Sequence, residues 1–182
     1  MITIISSTNQ RSSNTLRVSE QVLHYFHQHM DTGEEIRLLS LEDLPGNMIH
    51  PEMYSRKGQA PEVSRMQDDY IIPSTKYYFV IPEYNGSIPG VLKTFIDACS
   101  VRDYKGTFMG KKAAMIGISS GRAGNLRGME HLTGILNFLG IAVMPNKLPI
   151  SRIETLVDNE GYLSDMETLK AIEIHVKDFI RF

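Results

Sequence analysis

The stretch that decides the fold runs from residue 77 to residue 100, YYFVIPEYNGSIPGVLKTFIDACS. It opens with an uncharged, β-prone run, residues 77–81, the pattern of a strand buried on both faces. It closes with a segment, 91–100, that sets Leu92, Phe95, Ile96 and Cys99 on one helical face. Pro89 suits the first turn of that helix, where its fixed φ and missing N–H cost nothing. Between the two lies Pro82-Glu83-Tyr84-Asn85-Gly86-Ser87. It leaves the C-terminal end of a parallel strand, which is where ligands of open α/β sheets bind. Gly86 lets backbone amides come close to a flat, polar-edged ligand, and Asn85 tolerates unusual dihedrals. A plain connection needs fewer special residues than this, so the run reads as a site.

Working outward, the chain alternates strands and helices on either side. Ile2 to Ile5 is a short apolar strand. After it Leu16, Val22, Leu23, Phe26 and Met30 recur at helical spacing and predict a helix from Asn14 to His29. The connection, residues 6–15 (SSTNQRSSNT), is rich in hydroxyl and amide side chains and carries Arg11. Ser, Thr and Asn cap helices, and free N–H groups at a helix start attract anions. Arg11 adds a planar cation suited to phosphate. The loop has no glycine, so it is neither a phosphate loop of the Walker type nor a dinucleotide fingerprint. It reads as a phosphomonoester site.

Ile36, Leu38 and Leu39 mark a second strand. Residues 41–58 are irregular and too long for an idle connector. Their apolar Met48, Ile49, Met53 and Tyr54 require a cover. A helix opens at Pro61 and reaches 70–72, with Val63 and Met66 inward. Beyond the central stretch, residues 113–118 form the fourth strand and leave through Ser119-Ser120-Gly121-Arg122-Ala123-Gly124. A helix with Leu126, Met129, Leu132, Ile135, Leu136 and Leu139 follows. Residues 140–145 give a fifth strand, and Met166, Leu169, Ile172, Val176 and Phe179 an amphipathic last helix. The expectation is an α/β domain over residues 1–182: a doubly wound, five-stranded parallel sheet in the order 2-1-3-4-5, helices on both faces. Loops after strands 1, 3 and 4 then meet at the switch point.

Composition narrows the function classes. The 182-residue chain carries a formal net charge of −2 with no cluster of Lys or Arg, which argues against a nucleic-acid partner. Its single cysteine, Cys99, precludes an intramolecular disulfide or a cysteine metal cluster, and its place on an apolar helix face makes it a core residue. His24, His27 and His29 gather at a helix end, where favourable placement near the C-terminal dipole explains them better than metal binding. With no apolar span or secretory leader in view, a cytoplasmic protein without a membrane span is expected.

PEYNGSIPGVLKTFID resembles the isoalloxazine-binding loop of the NAD(P)H-dependent FMN reductases, flavodoxin-like flavin, quinone and azo reductases. The resemblance spans most of the chain. It implies that Ser7, Asn9, Arg11, Ser13, Asn14 and Thr15 hold the FMN phosphate. It places Pro82, Glu83, Tyr84, Asn85, Gly86 and Ser87 at the ring's pyrimidine edge and N5 side, and Ser119, Ser120, Gly121 and Gly124 on the opposite side. Two departures stand out: Ser6 where the family commonly has glycine, and Ala123-Gly124 where paired glycines are frequent. The implied activity is hydride transfer from NAD(P)H to flavin N5 and on to a small-molecule acceptor by a ping-pong route, in a homodimer and with no obligatory catalytic side chain. The alternative is a non-enzymatic electron carrier of the flavodoxin type. The near-zero charge and absence of tryptophan disfavour it.

Overall fold

The computed structural model describes residues 1–30, 33–55 and 58–182. Five positions across one parallel sheet follow the order β2-β1-β3-β4-β5, from β2 (Ile36–Ser40), β1 (Ile2–Ser6), β3 (Lys76–Pro82) and β4 (Lys112–Ile118) to β5 (Ala142–Val143). The central strands are buried on both faces, as their uncharged runs require. Successive side chains alternate between two cores, the period-2 consequence of the pleat. Ile4, Tyr78, Val80 and Ile116 pack with Val22 and Phe26 of α1 (Asn14–His29) and with Ile172, Val176 and Phe179 of α6 (Met166–Arg181). Ile5, Tyr77, Phe79 and Met115 pack instead with Leu92 and Phe95 of α3 (Gly90–Cys99) and Leu132 and Leu136 of α5 (Leu126–Phe138). Cys99 lies in this second core, where burial pushes its thiol pKa up to about 12.

The fifth strand departs from the expected single run over 140–145. β5 spans only Ala142–Val143, beside the start of β4, and a sixth strand, β6 (Leu148–Ile150), pairs with Ile116 to Ile118 farther along the same edge. Pro145, without an N–H, falls in the gap between the two segments. The helix expected from Pro61 also divides. α2 (Pro61–Met66) continues as a π-helical turn, Gln67–Ile71. There the buried Gln67 donates from Nε2 to the carbonyls of Cys99 and Arg102 and to Thr107 Oγ1, while its Oε1 accepts from Gln59. Thr107 belongs to a short helix, α4 (Tyr104–Phe108).

In the 41–58 segment, a 3-10 turn over Pro51–Tyr54 helps bury Met48 and Met53 within their own chain. Ile49 and Tyr54 remain exposed, and Arg56 and Lys57 lie outside the described residues. Met166, expected inward on the last helix, also faces solvent. No helix among the described residues is long and apolar enough to cross a membrane.

Candidate functional site

Three loops leave the C-terminal ends of β1, β3 and β4. The first ends in a capped helix. Ser13 has extended dihedrals (φ −79°, ψ 154°), its Oγ accepts from Leu16 N at 3.1 Å and its carbonyl from Arg17 N. The amides of Asn14 and Thr15 come before Arg17 N, the first intrahelical donor, so they and the positive end of the helix dipole are available to an anion. The Ser13 hydroxyl accepts in the cap and keeps its own proton for donation. Ser12 enters the cap in left-handed backbone, φ 51°.

The β3 loop is a two-residue turn. Tyr84 N donates to Ser87 O and Ser87 N to Tyr84 O, both at 3.0 Å, with Asn85 at φ 53° and Gly86 at φ 77°. Positive φ at both central positions is the type I′ geometry, for which Asn-Gly is the favoured sequence. Those two bonds use the amides of Tyr84 and Ser87, leaving those of Asn85 and Gly86 outside the turn. The turn is held from three sides. Glu83 N donates to Ile118 O at 2.8 Å, the Tyr84 hydroxyl lies 2.7 Å from Thr8 Oγ1, and Ser87 Oγ lies 2.6 Å from His131 Nδ1. Buried Asn125, at the start of α5, steadies the strand beneath by donating from Nδ2 to Ile81 O.

The β4 loop closes on itself and on β6. Ser119 Oγ donates to Gly121 O and accepts from Gly124 N, each at 3.0 Å, and Ser119 N donates to Ile150 O. Gly124 has φ 55°, and a Cβ there would lie 2.6 Å from Pro149 Cβ. The need for glycine at this position is therefore set by β6.

Together the loops border an open cleft of about 250 Å³. Of the residues expected at the site, Ser13, Asn14, Thr15, Pro82, Glu83, Tyr84, Ser119 and Ser120 line it. Ser7 is buried beneath, its Oγ donating to Ile5 O. Asn85, Gly86, Ser87, Gly121 and Gly124 belong to the bordering loops but not to the lining, and Asn9 is exposed outside it. Arg11 also departs from the expectation. Its side chain is 81% exposed, 3.6 Å from Asp43, and does not line the cleft. A loop that reverses direction at Ser12 turns Ser13 inward and leaves Arg11 on the outer side.

Sequence reasoning missed Gln10, Ser12, Ile118, Ile153 and Glu154, all in the lining. Ile153 and Glu154 arrive from a 3-10 turn after β6, tied down where Arg152 N donates to Gly121 O and Ile153 N to Ser119 O. The lining contains two carboxylates, Glu83 and Glu154, and neither lysine nor arginine. Among the described residues no group of three or more His, Cys, Asp or Glu side chains is arranged to hold a metal.

The family model described as NADPH-dependent FMN reductase matches residues 1–155. This chain belongs to that family. An NAD(P)H-dependent FMN reductase of Pseudomonas aeruginosa is 34% identical over 136 residues, 74% of this chain and 72% of that protein. A 2-hydroxy-1,4-benzoquinone reductase of a Burkholderia species is 31% identical over 72% of this chain and 71% of its own length. Among solved structures, the flavoenzyme NAD(P)H:acceptor oxidoreductase FerB of Paracoccus denitrificans superposes with a TM-score of 0.75 at 26% identity, covering 99% of this chain and 94% of its own. An FMN-dependent NADH-azoreductase of Bacillus anthracis, solved with FMN, shares the fold with a TM-score of 0.66 at 17% identity over 98% of both chains. Nothing in these comparisons supports a non-enzymatic carrier. The buried Ser6 hydroxyl of this reductase has no partner among the described residues, a local cost of about 1–3 kcal/mol. The residues present fit FMN. Unused helix-start amides and the hydroxyls of Ser12, Ser13 and Thr15 suit a phosphate, and the free turn amides of Asn85 and Gly86 suit a polar ring edge.

Proposed function

We propose that this protein is an NAD(P)H-dependent oxidoreductase that holds FMN in the cleft and passes electrons to a flavin, quinone or azo acceptor. The observation that carries the reading is that a capped helix start with spare amides and an Asn-Gly turn border one polar cleft at the switch point of the sheet. FMN bound there would supply the redox chemistry, carrying reducing equivalents from NAD(P)H to the acceptor. The protein supplies position. The α1 amides and Ser13 hydroxyl anchor the phosphate, the turn fixes the ring edge, and Ser119 and Ser120 border the other side. Tyr84 acts as a wall held in orientation by Thr8, with no obligatory proton transfer. Donor and acceptor would have to reach bound FMN through the same open cleft in turn, which makes turnover ping-pong.

In this reading residues 1–182 work as one domain, because α6 completes the core that α1 begins. The setting is a cytoplasmic homodimer. NAD(P)H is a cytoplasmic reductant, and exposed apolar side chains such as Ile49 and Tyr54 call for a cover. The test is flavin absorbance in the purified protein together with acceptor-dependent NAD(P)H oxidation. A colourless protein that neither binds added FMN nor oxidises NAD(P)H would end the proposal. Initial-rate lines that intersect would end its ping-pong part.

A further inference from the structure

Two loops at the edge of the cleft carry charge that holding FMN does not use. Arg122 follows the lining pair Ser119 and Ser120 out of β4, and Arg152 precedes the lining pair Ile153 and Glu154 beyond β6. The backbones around them are pinned to each other. Ser151 Oγ donates to Arg122 O at 2.6 Å, and Arg152 N donates to Gly121 O at 3.0 Å. Both arginines are exposed and neither belongs to the lining, so they stand on the rim, on the side of β4 and β6.

Their guanidinium groups are unpaired. Among the described residues neither makes a side-chain hydrogen bond, an ion pair or a ring contact, although Glu154 is only two residues from Arg152. Elsewhere arginines are engaged: Arg17 donates to Gly161 O, Arg37 to Glu35 and Asp69 O, and Arg102 to Asp68. Arg152 also sits at a backbone cost. Its φ of 52° lies in the left-handed region, which glycine or asparagine occupies more cheaply. Arg127, exposed and likewise without a partner, sets a third cation in the first turn of α5, against the positive end of that helix dipole. The chain's own packing asks for none of these charges.

We propose that Arg122 and Arg152 form an anion site on the rim that selects the electron acceptor, favouring a quinone or azo compound with an uncharged reducible part and a sulfonate or carboxylate substituent. The charges inside the cleft give the direction. Apart from the helix-start amides assigned to the FMN phosphate, the lining holds the carboxylates of Glu83 and Glu154 and no lysine or arginine. An anionic substituent is repelled by those carboxylates and attracted on the rim, so such an acceptor enters with its neutral ring first. Guanidinium forks match the oxygens of a sulfonate or carboxylate. The net reaction is unaltered: NAD(P)H and a proton convert a quinone to its hydroquinone and leave NAD(P)+. The rim changes which acceptors arrive and stay. NAD(P)H brings phosphates of its own to the cleft, and ping-pong turnover lets the two visitors be tested apart.

The inference rests on the proposed function and names its acceptor class. Stopped-flow traces test it, with the flavin-loaded protein reduced by NADH and then mixed with 1,4-naphthoquinone-2-sulfonate or with uncharged menadione. The ratio of second-order rate constants, sulfonate over menadione, should fall about tenfold when Arg122→Gln and Arg152→Gln are combined. Arg181→Gln removes an exposed arginine at the opposite end of the sheet, beside the residues that Lys76 binds, and should keep the ratio within about twofold. In the wild type the ratio should also fall several-fold between about 20 and 300 mM salt, because exposed charges are screened. Reduction of the double variant by NADH or NADPH should slow by less than about twofold. A ratio that moves with neither the variant nor the salt overturns the anion site. A loss confined to reduction by NAD(P)H gives the rim to the nucleotide and overturns the acceptor assignment, while the proposed function stands. A wild type that reduces neither quinone overturns the proposed function and this inference with it.

Discussion

The two ends of the sheet treat polar side chains in opposite ways. At the N-terminal ends of β3 and β4, Gln59, Gln67, Tyr77 and Lys111 are saturated by partners within the chain. Lys111 Nζ donates to the carbonyls of Ile71 and Ile72 and to the Tyr77 hydroxyl, and Tyr77 in turn bonds Ile71 O and Thr107 O. At the C-terminal ends, Ser12, Asn14, Thr15 and Ser120 line an open cleft, and the amides at the start of α1 and in the Asn-Gly turn have no partner in their own element. A closed network stabilises the fold, because an unmet buried donor or acceptor costs about 1–3 kcal/mol. An array with donors to spare binds something. Burial alone would not separate the two regions. The distribution of hydrogen bonds does.

The contrast breaks hardest at Gln67. Gln67→Leu strips a donor from the Cys99 and Arg102 carbonyls, so unfolding free energy should fall by about 3 kcal/mol or more, with FMN affinity of the folded protein unchanged. Urea denaturation beside flavin titration reads both. Equal loss of stability and binding would mean that the two ends are not independent. At the cleft, Gly86→Val forces a branched side chain into φ 77°, a strain of about 1–3 kcal/mol. It should weaken FMN about tenfold or more and slow both half-reactions together in stopped-flow traces. A variant impaired only in the acceptor half-reaction would detach the turn from the flavin.

A smaller effect sharpens the closed end. Burial lowers the Lys111 pKa to about 8, below the unfolded value of about 10.4. Between those values the unfolded chain holds a proton that the folded one has released, so this lysine makes stability rise with pH across that window. Lys76, also lowered chiefly by burial, adds in the same direction. Lys111→Met should reduce the slope of stability against pH in that range, and an unchanged slope would mean that the ammonium is not held as described. Smallest of all is Arg11→Ala. An exposed side chain whose nearest ion-pair partner lies at 3.6 Å contributes little, so FMN affinity should change by less than about threefold.

How much was legible beforehand follows the same division. The bounds of α1, Asn14 to His29, come from local signals: an apolar period of 3.6 residues and a serine cap. The Asn-Gly turn is equally local, since only a few residues accept positive φ. Strand order followed from the alternation of strand and helix. What stayed hidden depends on long-range pairing. Ile153 and Glu154 reach the cleft only because β6 resumes along β4 after Pro145, and no pattern within residues 151–155 announces it. Arg11 was expected at the phosphate because a cation beside serines suits it chemically, while the reversal at Ser12 sets its side chain outside the cleft lining. The π-turn at Gln67 answers to carbonyls more than thirty residues away.

The most direct test of the central claim compares FMN with riboflavin, which lacks the phosphate, on wild type, Ser13→Ala and Arg11→Ala by fluorescence titration. If the phosphate sits on the α1 start, the wild type prefers FMN. Ser13→Ala should lose a cap and a hydroxyl donor worth about 1–2 kcal/mol, lowering that preference roughly fivefold to thirtyfold while riboflavin binding barely moves. Arg11→Ala should keep the preference. The account is contradicted if Arg11→Ala abolishes the preference and Ser13→Ala preserves it, or if the wild type does not distinguish the two flavins.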